Sequence, residues 1–344
     1  MENLNTTNKK NIMQRIDSRY IGIVVTIIAM FVFFASRTPT FFSAGNIHDI
    51  ILDGVVPALM AIGLSVVIAS GGFDMSIAAV TGTAAMVCAI LMRNFGLPIA
   101  VSVIITMLMC VGIGALNGFF VVKTGVSPFI TTLAMQFILL GFRSWLTGGR
   151  QVSGFAQSFI AFSKGHWFFS VSNMVSTLII TVIIFYFIMN KLKFGRHMTA
   201  VGNNIKAAGY SGINVPKYTM FSYMISSAMC GFAGLVLLAR NNAANVGMAD
   251  SLLIKSITIA MFSAVIFTRF NSIGVFLASF VVSTVAMGVA AVRIDPDAIN
   301  LVTGLIMIVV IIVGTIINSD EMKSRKAKRQ MEAWERANAV DETT

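Results

Sequence analysis

Charge is what this sequence has least of. Asp, Glu, Lys and Arg together make up 11% of its 344 residues, against roughly 25% in an average soluble domain. The shortfall runs along most of the chain, so one cleaved leader does not account for it. Cysteine is scarce too. Cys88, Cys110 and Cys230 each sit in an apolar segment, without metal-ligand spacing, and an odd number leaves no complete internal pairing. They read as small buried apolar residues. His48, His166 and His197 lie far apart, and neither an HExxH motif nor a GxxxxGK[ST] phosphate loop is present. No catalytic residue, metal or cofactor is therefore expected, and the chain carries no evident energy source. Acidic residues inside apolar segments are few. Asp74 stands out, with Asp49 and Asp53 nearer a segment end, whereas ion-coupled carriers usually place ionisable groups within the membrane.

What is abundant is apolar sequence, 56% of the residues. A helix needs about 20 mostly apolar residues to cross the hydrocarbon core. Ten runs qualify, near 20–36, 47–70, 74–92, 98–122, 127–146, 172–190, 216–239, 252–268, 272–292 and 298–317. The expected fold class is all-α, a polytopic membrane helix bundle of about ten transmembrane helices. Lys9, Lys10, Arg15 and Arg19 precede the first run, but no small-residue cleavage site follows Ala35, so that run reads as a retained span. Asn46 is expected to cap the second span, while Pro98 and Pro128 fit the first turns of the fourth and fifth. Gly71-Gly72 and Gly125 fall between spans.

Ten spans put both termini on one side. The net charge of +11 gathers at the N-terminus, from Lys191 to Lys217, and from Lys323 to Arg336. With the N-terminus inside, most of the 25 basic residues fall on the inner side, so both termini are expected to be cytoplasmic. The same placement points to a membrane lipid surface and away from nucleic acid. The chain divides into a cytoplasmic segment 1–19, a transmembrane domain 20–318 and a charged cytoplasmic tail 319–344. Two connections are long: an outer one at 147–171, with Trp167, Phe168 and Phe169 at the expected interface, and a polar, basic inner one at 191–215. Gly112, Gly114, Gly118, Gly231 and Gly234 occur at spacings that let membrane helices approach closely.

Two segments carry more than composition: Ser70-Gly71-Gly72-Phe73-Asp74-Met75-Ser76, and the run from Gly202-Asn203-Asn204 through Ala207-Ala208 to Ser211-Gly212-Ile213. In order and spacing they resemble the permease subunits of ATP-binding-cassette sugar importers. That group serves ribose, xylose, galactosides and autoinducer-2, and is related to the branched-chain amino-acid permeases. The resemblance covers roughly residues 20–318, and the second motif is the more specific. It implies a bacterial cytoplasmic (inner) membrane protein that makes and breaks no covalent bond. The implied partners are a separate ATPase subunit, a periplasmic or extracellular solute-binding protein and a second permease chain. It also implies that Gly202, Asn203, Asn204, Ala207, Ala208, Ser211, Gly212 and Ile213 form the ATPase-coupling segment.

The residues themselves agree. Asn203 and Asn204 are placed to cap a short helix through Lys206, Ala207 and Ala208, with Ser211-Gly212 ending it. For Gly71, Gly72, Asp74 and Ser76 two readings stand. One is a broken helix, with a tight glycine turn and Asp74 capping the next span. The other sets Asp74 beside the translocation path. The chain departs from the family after the eighth span. Relatives usually carry a glycine-rich stretch there, whereas this chain has Phe267, Arg269 and Phe270, retaining Ser272 and Gly274. A divergent half of a heterodimeric pore and a homodimer with a compensated loop are the two explanations. The alternative class is an ion-coupled or facilitative carrier acting without an ATPase, which calls for embedded carboxylates and an inverted repeat. Phe129, Phe137 and Trp145 are candidates for stacking on a sugar, although aromatics in membrane helices mostly pack.

Overall fold

A computed structural model describes residues 18–155, 157–168, 171–267 and 270–292, with isolated positions between 301 and 308. The helices are α1 (Ser18–Arg37), α2 (Ala44–Ala69), α3 (Ile77–Arg93), α4 (Ile99–Thr124), α5 (Pro128–Thr147), α6 (Gln157–Lys164), α7 (Asn173–Asn190), α8 (Lys193–Asn203), α9 (Ile205–Tyr210), α10 (Val215–Asn241), α11 (Leu252–Phe267) and α12 (Ser272–Ala291). Nine of the ten expected spans coincide with α1 to α5, α7 and α10 to α12. The tenth, 298–317, lies almost wholly outside the described residues, as do the tail 319–344 and the N-terminal segment up to residue 17. Among the described residues six helices are long and apolar enough to cross a membrane: α2, α4, α5, α7, α10 and α12. α3, α11 and the stretch Ile27–Arg37 of α1 count as shorter apolar helices.

The ends follow local chemistry. Asn46 does not cap α2; Ser43 does, its hydroxyl accepting from Asn46 N at 3.2 Å, while the Asn46 amide donates to Phe41 O at 2.7 Å. Ser43 precedes the first turn, where the free N–H groups point, and Asn46 is already inside it. Pro98 is the N-cap of α4 instead of a first-turn residue, and Pro128 opens α5 as expected. Gly125 ends α4 at φ 66°, a left-handed conformation that glycine adopts without strain.

Short connections make successive spans antiparallel. The break at 70–76, α8 and α9 lie at one end of the bundle, and α6 lies at the other. At the α6 end the connection 147–171 is not featureless. Strand β1 (Val152–Ser153) pairs antiparallel with β4 (Ala243–Ala244), tying the segment after α5 to the segment after α10, and β2 (His166–Phe168) pairs with β3 (Val171–Ser172). The backbones of Trp167 and Phe168 lie in β2, and Phe169 falls outside the described residues.

α2 is the axis of the core, buried without interruption from Gly54 to Val67. α10 backs it and also packs on α3 and α4. Glycine decides how near these helices come. A Cβ on Gly234 would lie 2.3 Å from Thr81 O, and one on Gly114 would lie 2.4 Å from Tyr223 O. Gly112 faces open space and takes no part. α5 buries only Thr132, Met135, Leu139 and Arg143, one stripe at helical spacing. Its other face carries exposed Phe129, Phe137, Ile138 and Trp145, an apolar surface suited to lipid or to another membrane chain. Cys88, Cys110 and Cys230 are free and buried, as their apolar setting predicts.

Candidate functional site

The polypeptide leaves helical geometry at Ser70 and resumes it at Ile77. Gly71 sits at φ +84°, a region that side chains disfavour. At Gly72 a Cβ would stand 2.7 Å from the Tyr223 hydroxyl, so the absent side chain makes room for Tyr223, which donates to Phe73 O at 3.3 Å. Breaking a helix inside an apolar bundle frees backbone donors and acceptors that must find partners. Here α5 and α10 supply them. Thr132 Oγ1 accepts from Met75 N at 2.9 Å. Ser70 and Ser222 hydroxyls meet at 2.9 Å.

Asp74 lies at the centre, with no exposed surface. One carboxylate oxygen accepts from Ser76 N at 2.9 Å and from Ser76 Oγ at 2.6 Å; the other accepts from Ser226 Oγ at 2.8 Å. Asn117 Nδ2 on α4 donates to Ser76 Oγ at 3.0 Å. The capping expectation needs correcting in detail. Asp74 does not cap α3; Ser76 occupies the N-cap position without a side-chain cap bond. Asp74 bonds the backbone two residues on, an Asx turn that sets the chain's entry into α3.

The second motif forms α9 and its approaches. Asn204 caps α9, its Oδ1 accepting from Ala207 N at 3.0 Å. Asn203 instead belongs to the last turn of α8. Ser211 closes the helix through its N–H and hydroxyl to Ala207 O, and Gly212 turns away at φ +77°. Ala208 is buried, whereas Ile205, Lys206, Ala207 and Tyr210 are exposed, Tyr210 at 92%. α9 thus presents two apolar side chains and a cation outward from a capped, seated helix.

The two motifs, 131 positions apart at their glycines, meet. A Cβ on Gly202 would lie 2.2 Å from Ala69 O and 2.9 Å from Gly71 N, and one on Gly71 would lie 3.3 Å from Gly202 Cα. Backbone rests on backbone. Beside this contact lies a cavity of about 160 Å³, lined by residues that include Ser65, Ala69, Thr199, Gly202 and Ser263. Phe270 and Asn271 of the divergent stretch also line it. Phe267 and Phe270 are buried. The Phe267 ring occupies the space that a side chain at Gly274 would need, and Phe270 lies 6.5 Å from the Phe185 ring. Asn271 caps α12 by accepting from Gly274 N at 3.0 Å. The phenylalanines therefore fill the inside of this turn, with the retained glycine as their seat. Arg269 lies outside the described residues.

Sequence reasoning passed over Thr132, Ser222, Tyr223, Ser226 and Asn117, which hold the break in place. Their only signal is a polar side chain inside an apolar span, and many such residues only bond their own helix, as Thr106 does to Ser102 O. Nor did sequence reasoning signal Arg143, whose side chain is 1% exposed, lies over Gly82 and donates to Asp250 at 3.1 Å.

Comparison with known proteins agrees with this architecture. The family described as the branched-chain amino acid transport system permease component matches residues 46–311. The chain is 26% identical to the galactose/methyl galactoside import permease of Escherichia coli over 89% of its own length and 96% of that protein's. It is 31% identical to the D-allose transport system permease of Escherichia coli, over 64% and 67%. It is 23% identical to the ribose import permease of Bacillus subtilis, over 90% and 97%. The match spans both motifs and every described helix from the body of α2 to the end of α12, and on that ground the chain belongs to the branched-chain amino acid transport system permease family, as a membrane-embedded permease subunit of an ATP-binding-cassette importer.

Proposed function

We propose that this subunit forms the translocation pathway for a sugar or sugar-like solute across a bacterial cytoplasmic membrane. A solute-binding protein delivers the solute and a separate ATPase drives its passage. The observation that carries the reading is α9. It is a short helix capped at both ends, with Ile205 and Tyr210 projecting from it, and it follows directly on the end of α8, where Gly202 rests on the helix break. A solvent-facing loop has no use for two exposed apolar side chains on a rigid mount; a groove in an ATPase has. The sugar class rests on the relatives that import galactosides, allose and ribose. In this reading Gly202, Asn203, Asn204, Ala207, Ala208, Ser211, Gly212 and Ile213 are the coupling segment. Gly71, Gly72, Asp74 and Ser76 form the break around which the pathway alternates.

The bundle has ten spans, with both termini and the α8–α9 end in the cytoplasm. A second permease chain covers the apolar outer faces, and the filled turn at Phe267, Phe270 and Gly274 fits one half of a heterodimer whose other half keeps its glycines. The chain performs no covalent chemistry.

Reconstitution tests the reading. The chain, its ATPase and its binding protein in liposomes take up D-galactose, D-allose or D-ribose only when ATP is present on the α9 side. Uptake by the chain alone, without ATPase, overturns the proposal and establishes a secondary carrier.

A further inference from the structure

We infer that Gly202 is a positioning residue that hands motion of the coupling segment directly to the Asp74 break through its backbone contact with Ala69 and Gly71. The inference rests on the coupling role proposed for residues 202–213. The contact contains no side chain. A Cβ on Gly202 would stand 2.2 Å from Ala69 O, so the two backbones leave no room for a side chain between them. A side-chain contact absorbs a small displacement by changing rotamer; backbone in van der Waals contact does not, because packed interiors are barely compressible.

Ala69 and Gly71 leave no room for a side chain at Gly202, and Gly202 and Ala69 together line the cavity of about 160 Å³. The end of α8 cannot advance toward the break without moving it. The break in turn is bonded to three other helices. Met75 N is held by Thr132 of α5, Ser76 by Asn117 of α4, and Asp74 and Phe73 O by Ser226 and Tyr223 of α10. A shift at Gly202 therefore enters the break through backbone alone, and the break passes it to α4, α5 and α10 through these buried hydrogen bonds.

Amide hydrogen exchange on the complete complex tests this in the unmodified protein. The complex, with its ATPase and binding protein in nanodiscs, is compared in ADP and in vanadate-trapped MgATP. Exchange in 69–76 is expected to change together with exchange in 202–213. A change in 202–213 with 69–76 unaltered overturns the relay and leaves the coupling role standing. No change in 202–213 removes the coupling role, and the relay with it. A variant adds a functional readout. Alanine is a better helix former than glycine, so a loss in G202A comes from the contact. ATP hydrolysed per D-galactose or D-ribose taken up is expected to rise about tenfold. G112A, outside the coupling segment and with nothing within 4 Å of its Cβ, leaves that ratio unchanged. An assembled G202A complex whose hydrolysis and uptake fall in parallel also overturns the relay. If G202A does not assemble, the exchange comparison decides alone.

Discussion

At the scale of the residue, Asp74 shows how a carboxyl group can sit inside an apolar bundle. It accepts three hydrogen bonds, two from Ser76 and one from Ser226. The bond from Ser226 joins the break to α10. This arrangement favours the structural reading of Asp74 over a role as a charge on the transport path, and the two readings separate by substitution. D74N keeps the shape and one carbonyl acceptor, and the Ser226 hydroxyl can turn to accept from the new amide. D74A strands the Ser226 hydroxyl and the Ser76 N–H, at roughly 1–3 kcal/mol for each buried unpaired group. Thermal unfolding in detergent is expected to show D74A as the more damaged protein by several degrees. D74N is expected to keep ATP-driven uptake within a few-fold of wild type. Loss of uptake in a well-folded D74N protein would restore the carboxylate to the transport path.

At the scale of the element, helix ends and helix contacts obey different rules, and only the first are local. α9 begins at Asn204 because its side chain satisfies Ala207 N, and ends at Gly212 because glycine accepts a positive φ. Those features depend on neighbours in sequence and were readable there. Helix contacts depend on which glycine faces which backbone. Gly234 and Gly112 look alike in sequence, yet Gly234 sits against Thr81 O and Gly112 faces open space. G234A is expected to lower stability by about 1–3 kcal/mol as α3 and α10 are forced apart. G112A is expected to stay within about 0.5 kcal/mol of wild type. Comparing the two thermal melts checks both, and equal effects would show that the α3–α10 approach is not limiting.

At the scale of the whole molecule, we propose that the α8–α9 end and the α6 end face opposite sides of the membrane, with the basic α8–α9 segment in the cytoplasm. Cysteine labelling tests the assignment. The three native cysteines are buried, so a membrane-impermeant thiol reagent reports on introduced sites. R150C is expected to react in intact cells, whereas K206C reacts only after the membrane is opened. The reverse pattern would invert the topology and place α9 out of reach of a cytoplasmic ATPase.

The sequence by itself determined the membrane setting, the all-α class and the approximate bounds of nine helices, because hydropathy is summed over twenty residues and tolerates local error. It also pointed to Asn204 as a cap of α9 and to the turn at Gly71, since these follow from side chains within a few positions, while Asn203, expected as a cap as well, belongs to α8. Only the tertiary structure decided what surrounds Asp74 and where the two motifs stand. Ser226 and Asn117 are ordinary polar residues until folding sets them against the break. Gly71 and Gly202 are two glycines among 28 until their backbones touch. Contacts between residues far apart in the chain depend on how the helices rotate and approach one another, and hydropathy sums and local turn signals carry no record of that.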